Sequence, residues 1–172
     1  MLKDALLNSL VKEMLIVKRL STKISPEFAE FRPKEGVRSN IELCRYLCTA
    51  GTSILGFWLK TDDRDFKTYF TALSASTHHL TLAEIPAAMD TQIELAKTLF
   101  ASIKEEDLST MQVHLPWDPS NSFNLMQGII DTGIKWMTAY KLQLFLNIKM
   151  NSTEVLNTGD AWRKTEIEAL AS

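Results

Sequence analysis

The stretch SNIELCRYLCTAGTSILGFWL, residues 39–59, decides the fold that the sequence predicts. Ser39 is followed three residues later by Glu42, which is the spacing of a capping box at the start of a helix. Apolar residues then recur at three- and four-residue steps, so we expect an amphipathic helix over residues 40–59. Gly51 lies in the middle of this helix, where glycine costs about 1 kcal/mol relative to alanine, and it therefore predicts a close approach of another backbone.

The same apolar spacing predicts three more long helices, over residues 2–20, 86–103 and 121–150. Asp118 and Pro119 suit the cap and the first residue of the last helix. The segment 61–84 carries four large apolar residues that predict a short helix or a packed loop: Phe66, Tyr69, Phe70 and Leu73. The connector 111–118 has a strand-like middle, and the tail 154–172, with Trp162, predicts a short docked helix.

These elements predict one domain over residues 1–172 of the all-α class, arranged as a four-helix bundle. The chain has 172 residues, of which 45% are hydrophobic and 23% charged, and this composition excludes wholesale disorder. The formal net charge is −2, which disfavours nucleic acid or an anionic membrane surface as a partner.

The cysteine content and the apolar runs indicate a cytoplasmic protein. No signal-peptide pattern appears at the N-terminus, and the uncharged run 48–59 is too short to span a bilayer. Cys44 and Cys48 lie four residues apart on one apolar helix face, where a disulfide between them would be strained. We therefore interpret both cysteines as small buried hydrophobic residues.

Four segments resemble DinB-like proteins, the superfamily that includes the YfiT-type thiol transferases. The segments FRPKEGVRS (31–39) and IELCRYL (41–47) resemble the opening of that family's second helix, a proline-containing loop followed by a serine cap. The segment AYKLQLFL (139–146) resembles its last core helix, and LNTGDAW (156–162) resembles the end of many members. The resemblance implies a four-helix bundle with up-down-down-up topology that pairs as a homodimer, and exposed apolar residues in 61–84 would suit such pairing.

The family typically binds a divalent metal through three histidines, one on the second helix and two on the fourth. The matching positions here are Tyr46, Trp136 and Tyr140, none of which is a good ligand for zinc or nickel. We therefore expect no metal cofactor. Without the metal, the chain would lack the Lewis acid on which the family's chemistry depends.

Two interpretations of these three aromatic residues stay open. They should face one another where the metal would be bound, either filling that space as core or lining a remodelled pocket with two phenol hydroxyls. Lys141 and Gln143 are close in sequence but should point elsewhere on the helix.

Three functions follow from these expectations. The favoured one is a metal-free, non-enzymatic protein that binds a small apolar molecule or a protein partner. The second is a thiol-dependent S-transferase that works without the histidine triad. The third is a metalloprotein whose site has moved to His78, His79 and His114, the only histidines of the chain.

Overall fold

The computed structural model describes residues 1–151 and 155–162, and most of these residues are helical. In chain order, the helices and strands are α1 (Leu2–Ser21), α2 (Asn40–Ala50), α3 (Ser53–Trp58), α4 (Phe66–Thr77), α5 (Ile85–Ser102), α6 (Asp107–Thr110), β1 (Gln112–Leu115), β2 (Asp118–Asn124), α7 (Leu125–Gly128), α8 (Lys135–Asn151) and α9 (Thr158–Trp162). Short 3₁₀ turns lie at Pro26–Phe28 and Leu82–Glu84, and a π-helical turn, Ile129–Ile134, joins α7 to α8.

The core lies among four of these helices. Helix α1 packs against α5 and α8, and α2 packs against the same two helices. Their apolar faces supply fully buried side chains, among them Leu10, Met14, Leu47, Phe100 and Leu144. Burying one such side chain contributes roughly 1.5–3 kcal/mol, which makes this shared interface the main source of stability.

The capping box at the start of α2 is confirmed. Glu42 Oε2 accepts a hydrogen bond from the backbone N–H of Ser39 at 2.7 Å, and Ser39 Oγ accepts one from the backbone N–H of Glu42 at 3.4 Å. The predicted helix over 40–59 does not run unbroken, however, because it divides into α2 and α3 at Gly51 and Thr52.

Gly51 is the point of close approach that the sequence predicts. A Cβ atom at Gly51 would lie 2.5 Å from Met14 Cε and 2.9 Å from Gln92 Oε1, and Gly51 O lies 3.4 Å from the Cβ position of Gly133. The buried Gln92 side chain spans the break, since its Oε1 accepts from the N–H of Gly51 at 3.0 Å and its Nε2 donates to Leu47 O at 2.6 Å. A side chain at Gly51 would displace the ends of the Met14 side chain of α1 and the Gln92 side chain of α5, so glycine suits this close contact.

The predicted start of the last long helix is wrong. Asp118 and Pro119 belong to β2, which pairs antiparallel with β1, and the helical backbone begins only at Leu125. The actual cap is Asn124, whose Oδ1 accepts from the N–H of Gln127 at 2.9 Å. Pairing with β1 satisfies the backbone hydrogen bonds of the segment that precedes Leu125, and an apolar helical pattern beginning near Met126 cannot reveal that pairing.

The expected short helix in 61–84 is α4, and the strand-like connector is β1. The four large apolar residues of 61–84, namely Phe66, Tyr69, Phe70 and Leu73, are half-buried, so they offer only part of their surface to a partner. The rings of Phe66 and Tyr69 contact Phe57 of α3, with the Phe57 and Phe66 centroids 5.3 Å apart, and Phe66 also stacks on Phe70.

The predicted docked tail helix is α9, which contacts α1 and α8. Residues 152–154 and 163–172, which include much of the predicted tail, lie outside the described residues. Among the helices that the structure describes, none has the length and apolar character needed to cross a membrane.

Substituting Gly51 with alanine tests the close approach at the break between α2 and α3. We expect Gly51→Ala to lower the free energy of unfolding by about 1–3 kcal/mol, because the new methyl group would overlap Met14 and Gln92. Urea denaturation measures the change. Gly133→Ala is the matched control, since its methyl group would meet nothing nearer than 3.4 Å; equal losses in the two variants would contradict the account.

Candidate functional site

Tyr46 and Tyr140 meet at the interface of α2 and α8. Their ring centroids are 4.8 Å apart and the planes are inclined by 71°, an edge-to-face contact. The guanidinium of Arg38 covers the pair, with its carbon 4.3 Å from the Tyr46 centroid and 5.7 Å from that of Tyr140. This direct ring contact agrees with the interpretation that the two aromatic residues fill the space between the helices.

The Tyr46 hydroxyl stays protonated at neutral pH. Burial, and next the charge that Tyr140 would carry, raise its pKa to about 12, although Arg38 acts in the opposite direction. A phenol in this state can offer a hydrogen bond to a ligand, but it is a poor candidate for a general base, whose pKa should lie near neutrality.

Trp136 belongs to a different part of the surface. It lies one helical turn before Tyr140, and its ring stacks on Trp117 at a centroid distance of 5.9 Å and an angle of 15°. It lines a cavity of about 260 Å³ beside the β1–β2 hairpin, together with Asp131 and Thr132 of the π-helical turn. The structure thus brings two of the three expected residues together and pairs the third with Trp117.

A larger cavity, of about 500 Å³, lies in the groove where α4 and α5 both pack on α2. Most of its wall surface is apolar, although the wall also carries hydroxyl groups, one amide and one carboxylate. The lining residues are Cys48, Thr49, Thr52, Leu73, Ser76, Thr77, Leu80, Glu84, Ala87, Ala88, Thr91, Gln92 and Leu95. We call this cavity the apolar groove. Sequence reasoning did not predict the apolar groove. The one sequence feature that could have indicated it is the pair of small residues Ala87 and Ala88, which leaves space between two helices.

The two cysteines are free and buried. Burial raises the pKa of both thiols, with that of Cys48 at about 12, so both are protonated at neutral pH. Thiolates, rather than thiols, are the reactive form, and these cysteines therefore act as small apolar side chains, as the sequence predicts. Cys48 also contributes to the wall of the apolar groove.

The three histidines lie in two separate parts of the structure. His78 and His79 follow one another at the end of α4, with ring centroids 6.0 Å apart, whereas His114 lies on β1. All three are exposed, and within residues 1–151 and 155–162 no group of three histidine, cysteine, aspartate or glutamate side chains is placed to hold a metal ion.

Lys141 has a role that the sequence did not indicate. It points away from Tyr46, as expected, but it is completely buried, with its Nζ 2.6 Å from Glu13 Oε2 of α1 and 3.9 Å from the ring centroid of Trp162. Burial lowers the pKa of Lys141, and the contact with Glu13 opposes that shift. The cluster joins α9 to α1 and α8, and Arg19 of α1 adds a hydrogen bond to the backbone carbonyl of Asp160.

Comparison with known proteins identifies no relative of this chain. No family model matches the chain, and neither the curated proteins nor the solved structures contain a significant match. The likeness to DinB-like proteins therefore rests on the sequence motifs quoted above.

Proposed function

We propose that this chain is a non-enzymatic protein that binds a small apolar molecule in the apolar groove. The observation that supports this function is the groove itself. Its volume of about 500 Å³ falls within the usual range of roughly 300–1,000 Å³ for small-molecule sites, and a mainly apolar wall surface that also carries polar groups is typical of them.

The contact between Tyr46 and Tyr140 moves the proposed site away from the position that the family comparison suggested. With ring centroids only 4.8 Å apart, the two residues leave little room for a ligand between them. The apolar groove begins nearby on the same helix, at Cys48 and Thr49. An apolar ligand would therefore bind between α4 and α5 rather than between α2 and α8.

We further propose that the chain is a metal-free, DinB-like four-helix bundle made of α1, α2, α5 and α8. The contacts of α1 and α2 with both α5 and α8 support this arrangement, as does the meeting of Tyr46 and Tyr140 at two of the family's metal-binding positions. Elemental analysis of protein purified without a histidine tag tests the metal-free part, and one tightly held metal per chain would contradict it.

A non-enzymatic function is favoured over a thiol S-transferase because no described residue in or beside the groove is an activated nucleophile or base. The thiol of Cys48 and the phenol of Tyr46 both have pKa values raised to about 12, whereas nucleophiles and general bases need values near or below the working pH. Glu84 is the only carboxylate among the described residues that line the apolar groove, and it is already bound by the N–H and hydroxyl of Thr81.

Binding of 1-octanol, a neutral apolar probe, tests the proposed site. We expect calorimetry to detect binding to the native chain, and we expect Ala88→Phe to weaken it by about tenfold or more, because the new ring would occupy the groove. Ala101→Phe is the matched control, since Ala101 is exposed on the same helix and does not line the groove. Unchanged binding in a folded Ala88→Phe variant would place the ligand elsewhere.

We also propose that the chain forms a homodimer, and an exposed apolar stripe on α8 supports this proposal. Leu142, Leu146 and Met150 recur at four-residue steps on α8 and are 39%, 48% and 59% exposed. If this apolar stripe pairs two copies, sedimentation at micromolar protein should give a dimer, and Leu146→Glu should give a folded monomer. A native monomer under the same conditions would reject the proposal.

A further inference from the structure

A second cavity, of about 380 Å³, adjoins the apolar groove and has a different chemical character. It uses another face of α4, that of Phe70 and Ser74, together with His78 just after the helix, and opens beside the N-terminal half of α2. Two arginines, Arg38 and Arg45, contribute to its wall. We call it the arginine cavity.

The charge of the arginine cavity is not neutralised within the described residues. Neither Arg38 nor Arg45 forms an ion pair there with a described carboxylate, although Arg38 lies over the ring of Tyr46. Glu42 is the only acidic residue among the described lining residues, and it is engaged by the N–H of Ser39 at 2.7 Å and by Arg32, whose Nη1 lies 3.4 Å from its carboxylate. The cavity therefore offers guanidinium donors to an anion from solution.

Arg45 is held in a fixed position by its own backbone contact. Its Nε donates to the carbonyl of Leu80 at 2.8 Å, a bond that uses one of the five guanidinium N–H groups and fixes the plane of the fork. The terminal nitrogens have no hydrogen-bond partner among the residues that the structure describes. A fixed guanidinium binds a carboxylate with less loss of side-chain entropy than a freely rotating one.

The two cavities abut. Thr49 of α2 and Thr77 of α4 line both, and Leu80, which Arg45 binds through its carbonyl, lines the apolar groove. A single ligand whose apolar part lies in the groove would thus have one end close to Arg45. The wall at this end also carries hydroxyl groups, which suit the junction between an apolar chain and a polar head.

We propose that the ligand is an amphipathic carboxylate, with its apolar chain in the apolar groove and its carboxylate bound by Arg38 and Arg45. This inference rests on the proposed function, because it needs the apolar groove to be a binding site, and it adds the head group that the adjoining cavity selects.

Octanoate and 1-octanol separate the two claims, because they share an eight-carbon chain and differ in the head group. We expect calorimetry to show that octanoate binds the native chain at least about tenfold more tightly than 1-octanol, which is the gain typical of a charge-assisted hydrogen bond. We expect Arg38→Gln and Arg45→Gln each to remove most of this preference and to leave 1-octanol binding unchanged.

Lys67→Gln is the matched control for general electrostatic attraction. Lys67 is an exposed cation on α4 that lines neither cavity, so its removal should leave the binding of both probes unchanged. If Arg45→Gln disturbs the end of α4, Arg38→Gln decides the test, because Arg38 is exposed and holds no hydrogen bond to a described residue. Thermal unfolding checks that each variant is folded.

Each outcome has a definite meaning. If 1-octanol binds and octanoate binds no more tightly, the carboxylate inference is wrong while the proposed function stands. If neither probe binds, the proposed function is wrong, and the inference fails with it. A preference for octanoate that survives in Arg38→Gln and Arg45→Gln would place the anion elsewhere and would also overturn the inference.

Discussion

The hydrogen bonds of Gln92 across the break between α2 and α3 are the constraint on which the rest of the structure depends. One buried amide from α5 binds the carbonyl of Leu47 and the N–H of Gly51, so it satisfies both sides of an interrupted helix. An unpaired backbone group at this depth would cost roughly 1–3 kcal/mol, and the two bonds therefore fix the position of α5 relative to α2. Because Gln92 also lines the apolar groove, the same contact that stabilises the break forms part of the proposed ligand site.

Sequence patterns predicted the parts of the fold that depend on local chemistry. The capping box at Ser39 and the close approach at Gly51 follow from rules that involve a few neighbouring residues, and the structure confirms both. The start of the last long helix was predicted wrongly because Asp118 and Pro119 are equally compatible with a helix cap and with a strand. Pairing with β1 decides between them. A helical periodicity in the sequence carries no information about which residues of two strands pair.

The sequence predicted the candidate site less well than it predicted the fold. The resemblance to a metal-binding family indicated that Tyr46 and Tyr140 should meet, and they do, but Trp136 lies with Trp117 instead. The apolar groove is a space left between three elements, and its small wall residues carry no motif. Lys141 lies within an apolar segment where a lysine usually reaches solvent, and its burial depends on Glu13 and Trp162, which are distant in the sequence.

The central claim is that an apolar ligand lies between α4 and α5, and locating a bound probe tests it most directly. Nuclear Overhauser effects between 1-octanol and the methyl groups of the isotopically labelled protein would report which side chains lie within about 5 Å of the probe. The account predicts contacts with Leu73, Ala88 and Thr91, in the wall of the apolar groove. Contacts confined to the rings of Tyr46 and Tyr140, or to Trp136, would contradict it.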